Sequence, residues 1–119
     1  PLEARVFYVD DDLDSLSTCT EFLEMKGHRV IETASTLNEA LKKIPDLKKK
    51  GVNVAILDGN LTERDESGRD GERIAQEIKK QYPEIKVIGH AFEKAIPSAD
   101  VNCTKMEGGM KLAETVTNI

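Results

Sequence analysis

Short apolar runs alternate with stretches of helical periodicity along the first half of the chain. The first run, Arg5 to Val9, ends abruptly in acidic residues and is followed by leucines at helical spacing up to Gly27. A second run covers His28 to Thr33, and a helical pattern from Leu37 to Ile44 follows it until Pro45 interrupts the periodicity. Because strands and helices differ in the spacing of their apolar residues, this order predicts two successive strand–helix units.

The second half continues the same alternation. Val52 to Leu57 is nearly all apolar, which is typical of a strand covered on both faces. A polar loop from Asn60 to Asp70 follows this strand and is long for a strand-to-helix connection. The remaining predicted elements are a third helix marked by Ile74, Ile78 and Tyr82 and ended by Pro83, strands at Ile85 to Gly89 and Val101 to Thr104, and a closing helix with Leu112, Ala113 and Val116 on one face.

Five strands that alternate with helices predict an α/β fold. We expect a doubly wound, five-stranded parallel sheet of flavodoxin-like order 2-1-3-4-5, with right-handed crossovers. Little room remains between the fourth and fifth strands, so the fourth helix is expected to be shortened or missing. The length of 119 residues and a hydrophobic fraction of 39% fit one domain over residues 1–119.

Charge and composition narrow the class of partner. The chain has 17 basic and 22 acidic residues and a net charge of -5, which argues against a nucleic-acid partner or an anionic membrane surface. No apolar run approaches the ~18 residues of a membrane span, and the first residues lack a signal-peptide layout. Cys19 and Cys103 have no metal-ligand spacing and are more typical of small buried residues than of a disulfide. We therefore expect a cytoplasmic protein with a protein partner.

Ionisable residues stand at the carboxyl ends of four predicted strands. Three consecutive aspartates, Asp10 to Asp12, follow the first strand, Asp58 follows the third, His90 the fourth and Lys105 the fifth. In the order 2-1-3-4-5 the first and third strands are neighbours, so their carboxylates converge in one crevice. Such a cluster needs a cation, and oxygen ligands of this kind suit Mg²⁺, which keeps open positions for phosphate.

Each of these residues also has a simpler interpretation. The acids from Asp10 to Asp14 can cap the first helix, and Asp58 with Gly59 can form a turn. Taken alone, Lys105 is most simply a solvated lysine and His90 a core or loop histidine. Their predicted convergence at one edge of one sheet is what favours a functional site.

The same residues resemble a known family. The combination of Val9-Asp10-Asp11, Asp58 after an apolar strand and Lys105 after a fifth strand resembles the receiver (CheY-like) domain of two-component response regulators. The resemblance covers essentially the whole chain. It implies these roles: Asp58 as phosphoryl acceptor and metal ligand, Asp11 as a direct Mg²⁺ ligand, Asp10 as a ligand through water, Asn60 as a ligand through its backbone carbonyl, and Lys105 as the partner of a phosphoryl oxygen.

The resemblance also implies partners. A sensor histidine kinase or a phosphotransfer protein would supply the phosphoryl group, and an unknown downstream protein would receive the signal. The chain would not be an enzyme beyond phosphorylating itself and slowly removing its own phosphate.

The chain departs from the family pattern near the fourth and fifth strands. His90 stands where the family has serine or threonine, Asn102 replaces the usual aromatic residue, and Met106 replaces the usual proline. The usual hydroxyl-and-aromatic switch is therefore absent. Two replacements are open: His90 as a donor to a phosphoryl oxygen, or the Asn60 to Asp70 loop with Arg64 and Arg69. The alternative is that His90 fills space and the loop is a passive insertion.

Two other functions remain open at this point. A divergent pseudo-receiver would bind a partner constitutively and never take phosphate. An aspartate-based phosphohydrolase would use Asp10, because the acidic stretch after the first strand superficially resembles the paired aspartates of the haloacid dehalogenase class. The labelled nucleophile separates them: Asp58 in a receiver, Asp10 in a hydrolase.

Overall fold

A computed structural model describes residues 3–58, 69–91 and 95–119 of the chain. The strands are β1 (Arg5–Val9), β2 (Arg29–Ala34), β3 (Val54–Leu57), β4 (Lys86–Ala91) and β5 (Val101–Thr104). The helices are α1 (Leu13–Met25), α2 (Leu37–Lys43), α3 (Arg69–Gln81) and α4 (Gly108–Asn118). Short 3₁₀ turns follow α2 at Ile44–Asp46 and precede α4 at Lys105–Glu107.

The five strands form one parallel sheet in the order β2-β1-β3-β4-β5. This confirms the predicted α/β fold and strand order. The order reverses between β1 and β3, so a crevice forms where the chain leaves these two strands.

Alternate residues of each strand enter two separate cores. Phe7 and Val9 of β1 pack with residues of α2 and α3 on one face of the sheet. Val6 and Tyr8 pack with residues of α1 and α4 on the opposite face. The near-continuous apolar runs of the sequence follow from this burial on both faces, because neither side of a central strand meets water.

The start of α1 is fixed by one of the predicted capping acids. The Asp12 side chain accepts hydrogen bonds from the backbone N–H groups of Asp14 at 3.0 Å and Ser15 at 3.3 Å. It thereby satisfies donors that the first helical turn leaves unpaired. The capping interpretation is therefore correct for Asp12, while Asp10 points elsewhere and belongs to the site described below.

Several predicted boundaries differ from the structure. β3 begins at Val54 instead of Val52, and β2 is shifted by one residue. Pro45 lies within a 3₁₀ turn that continues from α2 instead of ending the helical conformation. The predicted loop is two residues too long, since Arg69 and Asp70 open α3. β4 continues to Ala91, because its last residues still pair with β5.

The connection from β4 to β5 contains no helix in its described residues, 95–100. This agrees with the predicted loss or shortening of the fourth helix. Asn102 holds the connection by accepting from the Ile96 N–H at 2.8 Å and donating to the Ile96 carbonyl at 3.1 Å. Asp100 accepts from the Val87 N–H at 2.8 Å and pairs with Lys79 at 2.6 Å. The segment is thus pinned to both the sheet and α3.

Two other expectations can be checked on the described residues. Cys19 and Cys103 are both buried free thiols, as expected from their spacing. None of the helices in residues 3–58, 69–91 and 95–119 combines the length and apolar character needed to cross a bilayer.

Candidate functional site

Three carboxylates meet where β1 and β3 end. The pairing of the two strands continues past their last residues, because the Asp58 N–H donates to the Val9 carbonyl at 2.9 Å. Carboxylate oxygens of Asp10, Asp11 and Asp58 lie within 4.8 Å of one another. Asp10 and Asp58 are buried, whereas Asp11 is exposed. The predicted convergence of the strand-end acids is therefore present.

Lys105 brings a positive charge to this cluster. Its Nζ lies 2.9 Å from Oδ2 of Asp10 and 3.4 Å from Oδ2 of Asp58, and its side chain is only 8% exposed. Burial alone would lower the pKa of Lys105, but the hydrogen bond to Asp10 and the charges of Asp10 and Asp58 outweigh it and raise the pKa above its usual value. The ammonium group is therefore retained at neutral pH.

The donor set fits a hard divalent cation. Among the residues that the structure describes, three carboxylates lie around one ammonium group, which leaves an excess of negative charge in this part of the crevice. One Asp10 oxygen, Oδ1, accepts from the Asp12 N–H at 3.0 Å and is thereby oriented. Mg²⁺ takes one or two carboxylates and keeps several waters, so exposed Asp11 suits it well. Asn60, the fourth expected ligand, lies outside the described residues.

His90 lies beside the acidic cluster, inside β4. Leu57 of β3 is paired with Gly89 of β4, so the next residues, Asp58 and His90, are neighbours on adjacent strands about 4.8 Å apart. Side chains two residues apart along a strand lie on the same face of the sheet. Tyr8 lies on the face towards α1 and α4, so Asp10, two residues further on, is on that face as well. Asp10, Asp58 and His90 therefore form one row across three strands.

The imidazole of His90 is neutral and almost completely enclosed. The residue is 2% exposed, and burial, followed by the charge of Lys105, lowers its pKa to about 4. Its Nδ1 lies 3.3 Å from the Tyr8 hydroxyl. Within the described part of the chain, Nε2 has no hydrogen-bond partner.

A cleft of about 240 Å³ lies between the first turns of α1 and the start of α4. His90 and Lys105 line its inner side. The other lining residues are small or polar: Asp14, Ser15, Thr18, Cys19, Gly108 and Gly109. Gly109 is needed there, because a Cβ at this position would come within 2.6 Å of the Phe22 ring.

Sequence reasoning missed two residues near the site. Tyr8 looks like an ordinary core residue of β1 in the sequence. The signal available was that a buried phenol hydroxyl usually has a hydrogen-bond partner. In the sequence, Asn102 stands out only because an aromatic residue is usual at this position, and its contact with Ile96 has no sequence signal. The suggested phosphate partner Arg64 lies outside the described residues, and the same role for Arg69, the first residue of α3, stays a prediction.

Comparisons with known proteins relate the chain to response regulator receiver domains. A family model described as "Response regulator receiver domain" matches residues 6–110 of the chain. A search of curated proteins finds no significant match.

Solved structures give the same result. A CheY-like response regulator receiver domain protein from Methanospirillum hungatei is 25% identical, with a TM-score of 0.78 over 98% of this chain and 93% of that chain. The BeF3-activated DrrB receiver domain is also 25% identical, with a TM-score of 0.74 over 98% and 97% of the two chains. Chemotaxis protein CheY4 of Vibrio cholerae, at 20% identity and a TM-score of 0.77 over 99% of both chains, shares the fold.

Proposed function

The chain belongs to the response regulator receiver domain family, and we propose that it accepts a phosphoryl group on Asp58 in two-component signal transduction. The observation that carries this proposal is the contact of one buried lysine with two strand-end aspartates. Lys105 neutralises part of the charge of Asp10 and Asp58, which leaves the cluster able to hold a cation and a phosphoryl group together.

The chemistry is an in-line transfer. A carboxylate oxygen of Asp58 attacks the phosphorus atom of a phosphohistidine; the new O–P bond forms as the N–P bond breaks, and the bonding electrons return to the imidazole of the donor. Lys105 stabilises the charge that develops on a phosphoryl oxygen. Because few covalent changes are required, the main task of the protein is to position these groups.

A bound Mg²⁺ would supply further charge compensation at the phosphoryl oxygens. We propose that Asp10, Asp11 and Asp58, together with the backbone carbonyl of Asn60, hold it. Support comes from the oxygen-only donor set and from the exposure of Asp11, which leaves room for water ligands.

His90 replaces the hydroxyl that the family usually provides. Its position beside Asp58 and its neutral ring favour a role as a hydrogen-bond donor to a phosphoryl oxygen. The described connection at residues 95–100 is pinned by Asn102, so a relay through an aromatic residue of β5 has no counterpart here.

The proposed partners follow from this chemistry. A sensor histidine kinase or a phosphotransfer protein donates the phosphoryl group, and a downstream protein, not identified by the sequence, recognises the phosphorylated state. The domain acts in the cytoplasm, without contacting nucleic acid or membrane, and catalyses only its own phosphorylation and slow dephosphorylation.

The test is phosphorylation in vitro. Wild type, Asp58→Asn and the control Asp46→Asn are incubated with acetyl phosphate and Mg²⁺, and the intact masses are compared. We expect one phosphoryl group on wild type and Asp46→Asn, and none on Asp58→Asn or on wild type in the presence of excess chelator. No uptake by any protein would support the pseudo-receiver function instead.

A further inference from the structure

Tyr8 lies in the core beneath the site, and its hydroxyl contacts a side chain of the site itself. The residue is fully buried on β1. Its Oη lies 3.3 Å from Nδ1 of His90, which belongs to the row of strand-end residues beside Asp58. A buried phenol normally retains a hydrogen bond, and Nδ1 of His90 lies within reach of this hydroxyl.

The direction of this hydrogen bond decides which nitrogen of His90 carries the proton. Burial, followed by a side-chain hydrogen bond with Cys19, raises the pKa of Tyr8 well above its usual value, so the hydroxyl keeps its proton. An imidazole nitrogen accepts more strongly than a thiol sulfur. The Tyr8 O–H therefore donates to Nδ1 in preference to the Cys19 sulfur.

We propose that Tyr8 is a positioning residue that holds His90 in the Nε2–H tautomer, so that a neutral N–H donor faces the phosphoryl site beside Lys105. The tautomer is assigned from the Tyr8 contact and the acceptor strength of Nδ1, whereas its consequence for phosphoryl transfer rests on the function proposed for Asp58. Nε2 has no partner among the described residues, and the His90 side chain lines the same cleft as Lys105.

The tautomer matters because the described residues of the site offer more acceptors than donors. A phosphoryl group brings three more acceptor oxygens to a cluster that already holds three carboxylates. In the Nε2–H tautomer His90 adds a donor without adding a charge. In the Nδ1–H tautomer it would direct a lone pair at the phosphoryl oxygens, and that arrangement repels them.

The direct test is the tautomer of His90, measured by ¹H–¹⁵N correlation spectra of histidine-labelled protein. We expect wild type to show the Nε2–H pattern for His90, and Tyr8→Phe to shift its ¹⁵N resonances towards a mixture of tautomers. The control Tyr82→Phe removes a phenol hydroxyl that donates to the Pro45 carbonyl at 2.6 Å and should change nothing at His90. An Nδ1–H pattern in wild type, or unchanged resonances in Tyr8→Phe, would overturn the proposal.

The spectrum also contains an internal reference. His28 accepts from the Ala4 N–H through Nδ1 at 3.1 Å, and its Nε2 lies 2.9 Å from the Thr117 hydroxyl. It should therefore keep the Nε2–H pattern in all three proteins. A change at His28 in Tyr8→Phe would indicate general loosening of the core instead of a local effect and would count against a positioning role.

The consequence for transfer is tested by rates of phosphorylation with acetyl phosphate and Mg²⁺. We expect His90→Ala to slow phosphorylation about tenfold, which corresponds to the loss of one charge-assisted hydrogen bond. Tyr8→Phe should slow it less, and the double variant should match His90→Ala, since Tyr8 acts only through His90. Additive losses would overturn the positioning role.

The two proposals fail in different ways. If wild type takes up no phosphate while Tyr8→Phe still changes the His90 tautomer, the proposed function of Asp58 is wrong and the Tyr8 contact stands. If Asp58 is phosphorylated at the same rate in wild type and Tyr8→Phe, the function stands and the positioning role of Tyr8 is wrong.

Discussion

At the scale of single residues, the described part of the site sets one lysine against three carboxylates. Lys105 contacts Asp10 and Asp58, yet a third carboxylate, Asp11, lies within 4.8 Å of both. Like charges at this separation repel and oppose folding when no cation is present. Without a bound cation, the cluster is therefore expected to lower the free energy of unfolding, and the same carboxylates form the candidate metal site.

We predict that Asp58→Asn is more stable than wild type in the absence of divalent cations. Removing one negative charge relieves the repulsion while the pair of Asp10 with Lys105 is kept. The gain should be about 1 kcal/mol, which corresponds to several degrees in melting temperature for a domain of this size. Thermal unfolding in chelator measures it, with Asp46→Asn as the control for loss of a remote carboxylate. A lower melting temperature for Asp58→Asn would mean that its hydrogen bonds outweigh the repulsion.

The histidines make stability depend on pH. Burial lowers the pKa of His28, and protonating Nδ1 would set two donors against each other, because that nitrogen accepts from the Ala4 N–H. Burial and Lys105 lower the pKa of His90 to about 4. Since the folded pKa of each histidine lies below the unfolded value of about 6.5, the unfolded chain binds more protons than the folded protein below about pH 6.5. The stability contributed by the neutral histidines is therefore complete above about pH 6.5 and is lost progressively as the pH falls towards the folded pKa.

We therefore expect the free energy of unfolding to fall between pH 7.5 and pH 5.5. Each histidine that stays neutral in the folded protein lowers the free energy of unfolding by up to about 1.4 kcal/mol for each pH unit below its unfolded pKa. Urea denaturation at both pH values measures the change, and His28→Gln should reduce it by the share of His28. Equal stability at the two pH values would contradict this account.

The sequence was informative for some site residues and not for others. Asp10, Asp58 and Lys105 could be predicted because the topology alone brings the carboxyl ends of neighbouring parallel strands together. The contact between Tyr8 and His90 could not be predicted. It depends on the register between strands and on the side-chain conformations in the core, which no local pattern encodes.

At the scale of elements, the connection between β4 and β5 is the unusual feature. Gly89 and Asn102 are paired across the two strands, and the Asn102 side chain folds over the glycine to reach Ile96. A Cβ on residue 89 would lie 2.1 Å from Oδ1 of Asn102. Glycine is therefore required so that Asn102 can hold the connection.

We predict that Gly89→Ala and Asn102→Ala are both destabilising and strongly coupled. Gly89→Ala displaces the Asn102 side chain, and Asn102→Ala leaves the N–H and carbonyl of Ile96 without this partner. Each variant should lower the free energy of unfolding by about 1–3 kcal/mol. The double variant should lose less than the sum, because both changes break the same contact. Urea denaturation of the four proteins gives the coupling. Additive losses would show that the two residues act independently.

Element type was predictable throughout the described chain, whereas element ends were not. The apolar run before Asp58 and the helical spacing before Gly27 are strong local signals. The extension of β4 through His90 to Ala91 depends on pairing with β5. A strand end set by a partner strand lies beyond what the local sequence can indicate.

At the scale of the whole molecule, metal binding and folding are linked. A cation that binds the native cluster and not the unfolded chain stabilises the fold in proportion to its occupancy. We expect Mg²⁺ at one hundred times its dissociation constant to add about 2.7 kcal/mol to the free energy of unfolding of wild type. Asp11→Ala should lose most of this gain, because it removes the exposed ligand.

Thermal unfolding over a Mg²⁺ series measures this linkage. Asp46→Asn provides the matched control, since it removes an acid remote from the site and should respond as wild type does. A melting temperature of wild type that does not change with Mg²⁺ would contradict the metal site, and an Asp11→Ala response equal to that of wild type would exclude Asp11 as a ligand.

The central claim is that Asp58 is the nucleophile, and the most direct measurement locates the phosphoryl group on the chain. Protein treated with acetyl phosphate and Mg²⁺ is reduced with borohydride, which converts an acyl phosphate to an alcohol, and the peptides are then sequenced by mass spectrometry. We predict that the reduced residue is Asp58. Modification of Asp10 instead would contradict the account and support an aspartate-based phosphohydrolase.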